Sequence, residues 1–313
     1  MTPPRLRGAL APVLTPFDAQ LAPDVRRFIA HCRWLVDSGA GLAIFGTNSE
    51  ANSLSVDERL RLTDALLDAG IPPAKLMPGT GACSIPDAVT LTRHAVKHGA
   101  AGVLMLPPFF YKGVSDEGLF AYYAQVIEQV ASDALRIYLY HIPQVTQVPI
   151  TLQLIERLRG RYPHTVVGAK DSSGVWDNTK AMLDHFAKDG FDVFPASESL
   201  LRAALPLGAA GCISATVNLN PSGIRAVFEQ WNTPHGAQLQ AQADVIRQIF
   251  QGPNMIPAMK RTAAEFSGHA GWAVVRPPLV PLDDTTAQRI GRGLAAAGFA
   301  MPGFREAMAQ AQA

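Results

Sequence analysis

The chain has 313 residues, 48% of them hydrophobic and 17% charged, and its 27 Lys and Arg against 26 Asp and Glu leave a formal net charge of +1. Hydrophobicity this high with so little charge excludes a disordered chain. The near balance lacks the basic excess that nucleic-acid binders carry, and no apolar run reaches the ~20 residues of a membrane-spanning helix. Cys32, Cys83 and Cys212 are scattered without CxxC spacing, and no HExxH occurs, so reduced thiols in the cytosol are expected rather than disulfides or a zinc site. Residues 1–10 hold basic residues but no apolar core or cleavage site, so no leader is expected there.

In chain order, short runs rich in Val, Ile, Leu and Ala predict strands over 8–15, 41–47, 75–81, 101–107, 136–142, 165–172, 192–197 and 211–217. Continuous apolarity without alternation is how a parallel strand buried on both faces reads. Amphipathic stretches lie between them. Residues 23–37 put Val25, Phe28, Ile29, Cys32 and Val36 on one face, and 56–68 put Leu60, Leu62, Ala65 and Leu66 together. Ser55 with Glu58 is a capping box, and Ser84 with Asp87 is a weaker start signal. The segments Ser38-Gly39-Ala40-Gly41, His98-Gly99-Ala100-Ala101-Gly102 and Leu207-Gly208-Ala209-Ala210-Gly211 each stand just before an apolar run, as helix-to-strand turns do. Eight strands alternating with helices predict a (β/α)8 TIM barrel over 1–233. A doubly wound open sheet is the alternative, but no GxGxxG follows the first strand. Helices predicted over 238–250, 254–266 and 283–297 make 234–313 a C-terminal helical extension.

An active site in such a barrel gathers at the C-terminal strand ends. Lys170 sits late in an apolar run, after Val166-Val167-Gly168-Ala169. Burial disfavours an ammonium and favours a free amine, which condenses with a ketone to an iminium that stores electrons. The plainer alternative is a strand-end lysine that reaches solvent or pairs with Asp171. Tyr140, late in the fifth strand, offers a phenol for proton transfer or fills the core as an aromatic. Thr47 is a relay hydroxyl or a strand stop. The amides of Thr47 and Asn48 suit a carboxylate, or simply form a βα turn.

Three ordered motifs now stand together: Gly46-Thr47-x-x-Glu50, Tyr140-x-x-Pro143 and Gly168-x-Lys170-Asp171-x-Ser173-Gly174. With Thr15-Pro16-Phe17 and Arg276-Pro277-Pro278 they span nearly the whole chain. The sequence resembles the dihydrodipicolinate synthase/N-acetylneuraminate lyase family of pyruvate-dependent class I aldolases. The resemblance implies a Schiff-base Lys170, a proton-transferring Tyr140 and a relay Thr47. It also implies Asn48 at the second carboxylate position, Ile213 as the main-chain position near the keto acid, and Ala196 and Glu198 at the strand end facing the aldehyde half. Tyr111 stands beside Phe110, which takes the place of a tyrosine exchanged between subunits. No cofactor or metal is implied beyond the imine itself. The implied partners are pyruvate and an aldehyde, with no nucleic acid and no membrane, in a cytoplasmic homo-oligomer, a tetramer built as a dimer of dimers.

Departures narrow the reaction. Asn48 replaces a second hydroxyl and is similar to the residue of 4-hydroxy-2-oxoglutarate aldolases; Ser49 replaces a glycine and His141 an asparagine. Val145 stands where lysine-pathway synthases put an arginine, and valine makes no carboxylate clamp. The expected reaction is therefore aldol cleavage or synthesis on a 4-hydroxy-2-oxo or 2-keto-3-deoxy acid. The alternatives are a 2-keto-3-deoxy sugar acid dehydratase, a 4-hydroxy-tetrahydrodipicolinate synthase and a non-catalytic 2-oxo-acid-binding regulator.

Overall fold

The computed structural model describes residues 5–311 other than Pro253, so 1–4, 253, 312 and 313 of the segments assigned above lie outside the described residues. Its strands are β1 (Gly8–Ala11), β2 (Gly41–Leu42), β3 (Val103–Met105), β4 (Ile137–His141), β5 (Val166–Asp171), β6 (Asp192–Pro195) and β7 (Gly211–Ile213). All ladders are parallel, in the orders β2-β1-β7 and β3-β4-β5-β6. Segment 75–81 joins the two sheets through single bridges, Leu42 to Leu76 and Gly79 to Leu104. On the other side the Ala210 N–H donates to the Val193 carbonyl at 3.0 Å. The ring is thereby closed, a (β/α)8 barrel.

The strands are shorter than the apolar runs, and proline explains part of this. Pro12 follows β1 and Pro78 interrupts the third run, and neither has an N–H to give a ladder. Lys75 belongs to the 3₁₀ turn Pro73–Lys75 rather than to a strand. At Gly79 a side chain is impossible, because a Cβ would lie 2.1 Å from the Phe45 carbonyl oxygen.

The interior cluster draws a residue from each of the eight runs: Leu10, Ala43, Met77, Leu104, Tyr138, Val167, Phe194 and Ile213. This is the packed centre that a barrel of eight strands needs. Leu6 packs against it, and Arg5 and Arg7 pair with the buried Asp192, which accepts from Tyr138 at 3.2 Å.

The helices are α1 (Val25–Asp37), α2 (Val56–Asp68), α3 (Ile85–Lys97), α4 (Asp116–Val130), α5 (Pro143–Thr146), α6 (Leu152–Arg161), α7 (Trp176–Phe186), α8 (Leu201–Ala204) and α9 (Pro221–Gln230). The capping box forms as the sequence predicts: the Glu58 N–H donates to Ser55 Oγ at 3.1 Å and the Ser55 N–H to Glu58 Oε2 at 2.8 Å. The face of α1 is rotated from its predicted setting. Val25 is exposed, while His31, Trp34 and Leu35 join Phe28 and Cys32 in the core.

Beyond α9 come α10 (Gly236–Phe250), α11 (Met255–Ser267), α12 (Asp284–Ala296) and the unforeseen α13 (Phe304–Gln310). They share one apolar cluster with the barrel's outer layer, in which Phe28 and Trp34 meet Met259, Trp272 and Phe304. The Trp34 and Phe304 rings lie 4.9 Å apart, edge to face.

Candidate active site

Strand β5 carries the lysine, and a bulge precedes it. Ile137 pairs with Val166 but Tyr138 pairs with Gly168, so Val167 is an extra residue in β5. Val167 lies in the interior cluster and Ala169 in the outer one, so the in-out alternation slips by one position. The slip keeps Lys170 inward. Gly168 allows it, because a Cβ there would lie 2.4 Å from the Tyr138 ring.

Lys170 and Tyr140 are partners in register across β4 and β5, and each is 3% exposed. Lys170 Nζ lies 4.2 Å from the centre of the Tyr140 ring. Tyr140 Oη is 3.0 Å from Thr47 Oγ1. Three of the sequence-predicted residues therefore form one line of contact at the barrel mouth. Asp171 is committed elsewhere: it accepts from the Ser173 N–H at 3.0 Å and the Ser173 hydroxyl at 3.1 Å, and from Thr179. The alternative in which it pairs with Lys170 is set aside on this geometry.

Thr47 and Asn48 open a 3₁₀ turn, Thr47–Ser49, whose first amides have no acceptor within the turn. Two non-glycine residues in left-handed conformation bracket it, Phe45 at φ 60° and Glu50 at φ 55°. Such conformations persist only where surroundings impose them. Phe45 is buried, and the buried Glu50 is held by a deep ion pair with Lys260 of α11. Lys260 also donates to the Val274 carbonyl at 2.8 Å, and the Arg276 N–H donates to Glu50 Oε2 at 3.0 Å. Burial pulls the Lys260 ammonium down to about 8, against the opposing pull of Glu50. The sequence marked Glu50 only as part of a motif; Lys260 carried no local signal at all.

Other predicted residues fall into two groups. Ile213, fully buried on β7, and Ala196, just past β6 with its N–H on the Asp171 carbonyl at 2.8 Å, stand at neighbouring strand ends. Tyr111 stands apart from Lys170 within the chain. It is 74% exposed and edge-on to Phe110, itself 71% exposed. Glu198 departs from its expected role as an open hydroxyl-binding group. It is fully buried, and its two carboxylate oxygens accept from Ser214 and Thr216, with Arg247 at 3.8 Å. Burial, with each oxygen already accepting from a hydroxyl, withdraws this carboxylate from the open strand end, and the 3₁₀ turn Glu198–Leu200 at whose start it stands folds it against the residues that follow β7.

His141, next to Tyr140, accepts the Ile150 N–H on Nδ1 at 3.0 Å and so anchors the loop after β4. Burial pushes its imidazole below the usual histidine range, partly offset by Asp171. Asn218 was missed by sequence reasoning. It accepts the Leu14 N–H at 2.9 Å and donates to the carbonyls of Pro12 and Ala215 at 3.0 and 2.9 Å, tying the first and last strand ends together.

Comparison with known proteins gives the same family throughout. Residues 5–297 match the model of the dihydrodipicolinate synthetase family. A DapA-like lyase of Chloroflexus aurantiacus is 34% identical over 281 residues, covering 89% of this chain and 92% of that one. The crystal structure of dihydrodipicolinate synthase from Agrobacterium tumefaciens superposes with a TM-score of 0.85 at 30% identity, covering 93% of this chain and 99% of that one. The structure of YagE from E. coli K12, in complex with pyruvate, superposes at 0.84 with 25% identity, covering 94% and 99%.

Proposed function

Since this chain belongs to the dihydrodipicolinate synthetase family, we propose that it is a lyase that makes or breaks a carbon–carbon bond between pyruvate and an aldehyde through an imine on Lys170. The observation that carries this reading is the contact line from Lys170 through Tyr140 to Thr47.

In the synthetic direction the Lys170 amine adds to the C2 carbonyl of pyruvate, and the carbinolamine loses water to give an iminium. Loss of a C3 proton, with the electron pair drawn into the iminium, yields an enamine. Its C3 attacks the aldehyde carbon while the aldehyde oxygen takes up a proton. Water then releases the product and restores the amine; cleavage is the reverse. The Tyr140 hydroxyl, 3.0 Å from Thr47, is the group set to carry these protons. The amides of Thr47 and Asn48 serve the pyruvate carboxylate, and Ile213 and Ala196 line the adjacent strand ends. In this scheme no metal or organic cofactor is required. We assign the working form as a cytoplasmic homo-oligomer, in which exposed Phe110 and Tyr111 meet a neighbouring copy.

The names of relatives favour a second reading, 4-hydroxy-tetrahydrodipicolinate synthesis. Against it stands Val145 in α5, 57% exposed, where that reaction needs a cation for the second carboxylate. The test of the central proposal is incubation with pyruvate and borohydride, followed by peptide mass mapping. One pyruvate-derived adduct per chain on Lys170 is expected. The same adduct on a Lys170→Ala protein would overturn the assignment.

A further inference from the structure

On the outer wall of the barrel, three side chains converge that the reaction does not use. His94 and His98 are four residues apart, one helical turn, on α3 and at its C-cap. Their rings stand 4.6 Å apart between centres. Asp64 of α2 faces both, with Oδ1 2.8 Å from His94 Nε2 and 3.7 Å from His98 Nε2. One ligand atom from each residue lies within 4.8 Å of the others.

We propose that Asp64, His94 and His98 form a site for one divalent ion of the zinc type, which cross-links α2 to α3. Two imidazole nitrogens and a carboxylate oxygen are donors that such an ion prefers, and three protein ligands leave a fourth position for water. Around an ion bonded at about 2.0–2.2 Å, tetrahedral ligands are about 3.4 Å from one another. Seating the ion therefore takes an opening of the Asp64–His94 contact by roughly half an ångström and an inward turn of His98, whose nitrogen lies 3.7 Å from Asp64 and within 4.8 Å of the His94 ligand atom, both adjustments of part-exposed side chains. The ion replaces the proton now shared between carboxylate and imidazole. The negative end of the α3 dipole adds to the attraction.

Helices of a βα barrel run back against their strands, so the C-terminal end of α3 lies at the face opposite the Lys170 mouth. The ion would act as a clamp between neighbouring helices and take no part in the imine chemistry.

The experiment uses the full chain, stripped with a chelator and titrated with zinc chloride in a calorimeter, with Co²⁺ absorption as a coordination readout. Expected are one zinc per chain, visible ligand-field bands with Co²⁺, and a thermal midpoint that rises with zinc concentration. His94→Ala and His98→Gln should each weaken binding by at least about 100-fold, beyond the 10–100-fold typical of losing only an outer-shell partner. Each should also abolish the midpoint shift while keeping the metal-free midpoint near that of the parent. Absence of binding by the parent chain, or unchanged affinity and midpoint shift in both variants, would overturn the site. Loss of binding on Cys83→Ser alone, with the histidine variants binding as the parent does, would overturn it as well.

Discussion

The Tyr140 hydroxyl touches the Thr47 hydroxyl at 3.0 Å although 93 residues separate them, and the same phenol ring lies 4.2 Å under Lys170 Nζ. One side chain thus contacts both the amine proposed to bind the keto acid and the hydroxyl proposed to relay its protons. Tyr140→Phe should still form the borohydride-trapped adduct but lose about 10²–10⁴ in turnover, the usual worth of a positioned acid–base group. Thr47→Val should lose less. Pyruvate release coupled to lactate dehydrogenase measures both; parent-like turnover in Tyr140→Phe would move the proton shuttle elsewhere, with Tyr111 the first place to look.

The Glu50–Lys260 pair is buried on both sides. Removing one member of such a pair leaves an uncompensated charge and typically costs about 3–5 kcal/mol. Lys260→Met should lower the unfolding free energy read from urea denaturation by an amount of that order, and Lys260→Met with Glu50→Gln should recover part of the loss. The single variant should also raise KM for pyruvate, because Glu50 closes the turn that bears Thr47 and Asn48. Equal stability of the single and double variants would mean the charges are not coupled.

Acid should reveal His31. Burial holds its imidazole down to about 4, against 6.5 when exposed, and its bond to Asn218 only partly offsets this. The folded state therefore resists a proton that the unfolded chain accepts. Stability from this group is fully present above pH 6.5 and is lost as pH falls through about 4, a contribution of about 3 kcal/mol. Unfolding midpoints taken every half unit across that window should slope less in His31→Gln than in the parent. Parallel slopes would show that His31 titrates normally.

Partner choice follows from Val145. A missing charge-assisted contact is worth about 1.5–3 kcal/mol, or roughly 10–150-fold in kcat/KM. Aspartate semialdehyde should thus be a poorer partner than neutral or hydroxylated aldehydes across a panel. A clear win for aspartate semialdehyde would require another cation, with Lys112, which donates to the Thr146 carbonyl next to Val145, or a neighbouring subunit the candidates.

Much of this arrangement is legible before any coordinates. Local signals carried over well: the Ser55–Glu58 box, the glycine turns before strands and the apolar run that ends in Lys170 all stand where the pattern puts them. The losses come from forces that have no local pattern. Lys260 finds Glu50 from 210 residues away, and His31 finds Asn218 from 187. Glu198 reads as a strand-end polar group, yet Ser214 and Thr216, more than a dozen residues later, take up its carboxylate. The third strand reads as apolar, but Pro78 and Gly79 reduce it to bridges. Phe304–Gln310 is too short for its periodicity to stand out, and it is fixed by packing on α1.

The extra residue at Val167 makes the lysine's direction a matter of counting. Take Val167 away and the rest of β5 falls into an unbroken ladder, with Val166 opposite Ile137, Gly168 opposite Tyr138 and Lys170 still opposite Tyr140. Val166 and Ala169 would both keep their outward places, and simple alternation would still send the lysine toward the mouth. Deleting Val167 should therefore cost the packing of one interior side chain and leave the Lys170 amine open to trapping, so the bulge is a way of fitting an extra core residue without turning the lysine away.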